Sequence, residues 1–171
     1  MPAVAQAQTV TLQGRVSETV AISVSPHLVR DDVDVDVVNS GGTVRMLLSG
    51  AKAKSAVIRV PLIVRSNTSF RISGLFESNT AQLAELSVID VRATGRLVSP
   101  EAVNNLELSP QLTEKDSSTD FSNPFRLMSG PRISLGGTLQ SPNNALQITL
   151  LIRLNSESVG GWLAHLTFFH D

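Results

Sequence analysis

The sequence predicts an all-β chain folded as a β-sandwich of roughly seven to ten strands. Three observations carry that prediction. Apolar and polar residues alternate with period two in window after window, the pattern of half-buried strands. Turn-forming pairs such as Gly41-Gly42, Ser99-Pro100 and Ser109-Pro110 punctuate those windows. Apolar residues make up 42% of the chain but aromatic ones only 4%, so the core must be built from Val, Leu and Ile, which favour strands.

Taken in order, Met1 to Ala7 ends in an Ala5-x-Ala7 pattern and reads as the tail of a secretory signal. Val10, Leu12 and Val16 then alternate with polar residues, with Gly14 in phase, and Val20, Ile22 and Val24 follow. Val33, Val35 and Val37 alternate with Asp32, Asp34 and Asp36; after the Gly41-Gly42 turn come Val44, Met46 and Leu48. Ile58, Val60, Leu62 and Val64 form the next apolar face. Pro61 inside that run predicts a sheet edge or a bulge, because proline has no N–H for the ladder. Phe70 and Ile72 lead into Gly74. Leu86 to Ala93 is apolar on both faces, with Leu86 and Val88 on one and Ile89 and Val91 on the other.

Helical periodicity is weak; residues 78–86 and 100–106 are the two places where a short helical turn is expected. The long connection from Ser109 to Pro131 carries Phe121, Phe125, Leu127 and Met128, which should pin its second half to the body. Ile133, Leu135 and Leu139 precede the clearest strand, Leu146 to Leu154. Trp162, Ala164, Leu166 and Phe168 close the chain. At 171 residues, with no internal repeat, a single domain is expected.

Composition narrows the function. Fourteen basic and fifteen acidic residues leave a net charge of −1, so no global field draws the chain to nucleic acid or anionic lipid. No apolar run approaches the ~20 residues of a membrane helix. The absence of cysteine removes thiol catalysis, thiolate metal sites and disulfides together. His27, His165 and His170 form no HxH or HExxH spacing and read as surface residues rather than ligands or bases. Asp32, Asp34 and Asp36 share a strand face, where same-side residues lie ~6–7 Å apart, too widely spread for one calcium ion. An acidic edge that discourages strand pairing fits them better. No GxSxG or SxxK motif and no phosphate-cradling glycine loop occurs, so neither an enzyme nor a cofactor is expected. With no Tyr and one Trp, carbohydrate stacking has little to build on. Asn67-Thr-Ser69 is a formal glycosylation sequon between strands.

The stretch Gln8 to Val24, with Val10, Leu12, Gly14 and Val16 before Val20, Ile22 and Val24, resembles the amino-terminal region of bacterial chaperone–usher pilins and spore-coat-U-like subunits. Gly160 to Asp171 looks like the closing strand of that family. Two departures mark the chain as divergent: Ile22 stands where a disulfide cysteine is usual, and His170 replaces the usual penultimate tyrosine.

The resemblance implies an immunoglobulin-like sandwich completed by a strand from a neighbouring subunit. Residues 8–17 would be the donor extension, 18–171 the pilin-like domain and 1–7 the signal remnant. Val10, Leu12, Gly14 and Val16 would be the donor elements, and Trp162, Ala164, Leu166 and Phe168 would line the acceptor groove. The function implied is that of a structural subunit of a secreted cell-surface filament. It would be a homopolymer of identical subunits, with a periplasmic chaperone and usher as assembly partners. Alternation alone fits equally well an ordinary first strand paired within its own subunit. A monomeric secreted or periplasmic binding module is therefore the alternative, and an accessory domain of an extracellular hydrolase a third.

Overall fold

Strand alternation decides the architecture: each apolar set buries one face, and two such faces close on one another. The structure, a computed structural model, describes residues 17–24, 28–30, 33–50, 55–78, 80–109, 123–134, 144–156 and 161–171. Its strands are β1 (Val20–Val24), β2 (Val29–Arg30), β3 (Asp34–Ser40), β4 (Thr43–Gly50), β5 (Ser55–Ser66), β6 (Phe70–Ser78), β7 (Ala81–Thr94), β8 (Glu107–Leu108), β9 (Phe125–Gly130), β10 (Ala145–Ser156) and β11 (Trp162–His170). One short helix, α1 (Pro100–Asn104), lies between β7 and β8, within the expected 100–106 window. Residues 78–86, the other expected helical turn, instead end β6 and begin β7.

The strands form two antiparallel sheets. One runs β1-β5-β10-β7, with β2 continuing the β1 edge along β5; the other runs β3-β4-β11-β6-β9-β8. Ile22, Val64 and Leu146 lie in one row across the first sheet, and Val60 pairs with Leu150 four residues along. Leu48, Ala164 and Ser78 form a matching row across the second, followed by Met46, Leu166 and Phe76. These inward rows make one continuous core. Burying each such aliphatic side chain contributes on the order of 1.5–3 kcal/mol.

Of the two expectations for Pro61, the sheet edge is corrected: β5 is an internal strand, paired with β10 on one side and with β1 and β2 on the other. The N–H of Ile22 points away from β5, to the carbonyl of Gly41 at 2.8 Å. Alternation then turns residues 61, 63 and 65 of β5 toward the β1/β2 side. On that side the described pairs change register by two residues, from Val24–Leu62 to Val29–Arg59. Pro61 lies at this register change and has no partner among the described residues of β1 or β2, so its missing N–H falls outside the regular pairing there.

The two-faced apolar pattern of β7 has an equally local cause. Its ladder with β10 shifts register between Thr149 and Leu150 and again between Arg153 and Leu154. The extra residue at Ile89 brings Val88 and Val91 both opposite inward residues, Leu150 and Ile148, and leaves Ile89 46% exposed. Such bulges bend an edge strand and spoil it as a template for further pairing.

With few aromatics, three of them do a specific job: each lies over a glycine directly opposite on the next strand. Trp162 pairs with Gly50, Phe125 with Gly74, and Phe70 with Gly130. A methyl group at those glycines would come within 2.6, 2.4 and 2.8 Å of the ring atoms.

Candidate functional site

The donor residues Val10, Leu12, Gly14 and Val16 lie outside the described residues, as do the signal-like segment 1–7, His27 and Phe121. Ahead of β1, the side chain of Asn67, in the turn between β5 and β6, holds the chain at Ser17 and Thr19. Asn67 Nδ2 donates to the Ser17 carbonyl at 2.8 Å, and its Oδ1 accepts from the Thr19 N–H at 2.7 Å. The sequon asparagine thus uses both ends of its amide to tie down the entry to β1.

Trp162, Ala164, Leu166 and Phe168 are all buried and face the core. β11 is not flanked by an open slot: β4 pairs with it from Trp162 to Phe169 and β6 from Ala164 to His170. The reason lies in the β3–β4 hairpin. Gly41, at φ +55°, makes the turn that only glycine adopts without strain, and the hairpin lays β4 antiparallel beside β11. The hairpin is fastened at its tip, where Ile22 N–H donates to the Gly41 carbonyl and His170 N–H to the Gly42 carbonyl at 3.0 Å. Val24 N–H donates to Asn39 Oδ1 at 3.0 Å, so the outer edge of β1 is occupied there as well. The hairpin itself was legible in the alternation and the Gly-Gly pair; its pairing with β11 is a long-range contact that no local pattern encodes.

The outer edge strand β3 carries Asp34 and Asp36 exposed on its outer face. Among the described residues no group of three or more potential metal ligands converges. No helix among them is long and apolar enough to cross a membrane. Every buried side-chain nitrogen or oxygen among the described residues has a hydrogen-bond partner, so none is left aimed at a ligand.

Among the described residues two adjoining clefts lie on the outer face of the six-stranded sheet, where no sequence motif marked a site. At one end of the six-stranded sheet, Phe169, Ser73 and Arg126 form a row across β11, β6 and β9, and Arg71 pairs with Ser129 in the next. Two clefts of about 560 and 550 Å³ flank these rows and share Arg71, Arg126 and Asp171. The first also takes in Asn105, Glu107 and His170; the second Phe125 and Phe169. Asp171 accepts from the Ser73 hydroxyl at 3.0 Å. Arg126 reaches Glu107 at 3.5 Å and also donates to the Ser129 hydroxyl.

Compared with known proteins, the chain matches no family model, no curated protein and no solved structure.

Proposed function

We propose that this chain is a non-catalytic, immunoglobulin-like β-sandwich exported from the cell, and that it works as a self-contained binding module. The observation that carries the reading is β4 lying antiparallel to β11 along Trp162–Phe169. The order β1-β5-β10-β7 parallels one sheet of an immunoglobulin constant-type sandwich, and β6-β11-β4 parallels the other. In that frame β4 fills, from within the chain, the place that a donor strand takes in an incomplete sandwich. The two clefts beside Arg71 have the size of a small-ligand site. Sedimentation velocity and negative-stain microscopy of the purified chain test this reading. A monomer is expected; filaments would overturn it.

A second reading keeps the filament subunit, its homopolymer partners and its chaperone and usher. The alternation of Val10, Leu12, Gly14 and Val16, immediately ahead of the Asn67 clamp, favours it. On this reading residues 8–17 must add to an outer edge of a neighbouring copy rather than beside β11. Filaments that disappear on deleting residues 8–17 would support it.

A further inference from the structure

We propose that the clefts around Arg71 bind a carboxylate-bearing saccharide of the uronate type. The inference deepens the binding-module reading and rests on it. Arg71 projects from β6 on the outer face of the sheet, and among the described residues it makes no ion pair. Neither neighbouring acid pairs with it: Asp171 accepts from the Ser73 hydroxyl and Glu107 pairs with Arg126, each keeping further lone pairs for a ligand hydroxyl. That leaves the planar fork of Arg71 open to a carboxylate, which it matches with two parallel N–H···O bonds.

The rest of the lining selects for a sugar acid over other anions. Asp171 and Glu107 stand beside the arginine as acceptors for hydroxyl groups, and they repel a densely charged polyanion such as nucleic acid. Asn105 and Ser69 add donors and acceptors at the rim of the first cleft. Phe169, half-buried in the second cleft, offers an apolar ring face against which a sugar ring can lie. This modest platform replaces the Trp and Tyr that the composition lacks. Each cleft falls within the ~300–1,000 Å³ common for small-ligand sites, enough for one or two sugar rings.

Amide NMR of the isotope-labelled full chain, titrated with digalacturonate and separately with cellobiose, tests the assignment. Digalacturonate should give saturable shifts at Arg71, Ser73 and Phe169, and cellobiose should not. Arg71→Gln should weaken binding about tenfold or more with unchanged thermal unfolding, and Arg71→Lys should restore only part of it. Absence of saturable shifts with digalacturonate, or binding indifferent to Arg71→Gln, overturns the assignment. Equal binding of cellobiose removes the carboxylate specificity while leaving the module reading in place. Filaments in the same sample would instead remove the module reading.

Discussion

Trp162 lies flat over Gly50: a methyl group at Gly50 would sit 2.6 Å from Cε2 and Cζ2 of the indole. The two residues are direct partners across the β4–β11 ladder. The contact therefore marks the seam between the β3–β4 hairpin and β11. Gly50→Ala should destabilise the domain by about 1–3 kcal/mol, because the ring is packed into the core and has little room to retreat. Trp162 is the sole tryptophan, so its fluorescence during urea unfolding reports the change directly. In the double variant Gly50→Ala/Trp162→Leu the two costs should fall short of additive.

Pro61 and its neighbour Leu62 should respond in opposite ways. Pro61→Ala restores an N–H at the register change between the Val24–Leu62 and Val29–Arg59 pairs, so thermal stability should change by about 1 kcal/mol or less. Leu62→Pro removes an N–H on the β10 side of an internal strand and should cost about 3 kcal/mol or more. Similar melting temperatures for the two variants would contradict the assigned register.

Asn67→Ala should loosen the entry to β1 without disturbing the core. It removes the partners of the Thr19 N–H and the Ser17 carbonyl, at a cost of about 0.5–1.5 kcal/mol for each hydrogen bond. Hydrogen exchange at Thr19 should accelerate, while exchange at Ile148 and Leu166 should change only as far as global stability does. Equal protection of Thr19 in both proteins would rule out the clamp.

Leu166→Ala probes the core at the centre of β11. Its side chain is fully buried between the two sheets, so the truncation should cost about 2–5 kcal/mol. A loss below about 1 kcal/mol, measured by the same urea unfolding, would mean that this strand faces an unfilled space.

Much of the fold was legible because period-two alternation is a local signal. Val20–Val24, Val44–Leu48, Ile58–Val64 and Leu146–Leu154 all appear as strands with the apolar set turned inward. The misreadings have physical causes of longer range. Pro61 suggested an edge or a bulge; β5 is internal, and the register change opposite Pro61 on the β1–β2 side cannot be seen from β5 itself. The apparent two-faced β7 concealed a bulge at Ile89 that re-phases one strand into a single inward face. The site was less legible still. The Arg71 clefts draw on residues from four strands and from the segment following α1, brought together only by sheet order. Trp162, Ala164, Leu166 and Phe168 were recognisable as a closing strand, but which strand would lie beside them was not.

The central claim is that β4 already occupies the place beside β11, so that no partner strand is needed there. Titrating a peptide of residues 8–17 into the labelled full chain tests it most directly. The account predicts no saturable shifts at the amides of residues 162–169. Saturable binding that displaces β4 and shifts those amides would contradict it.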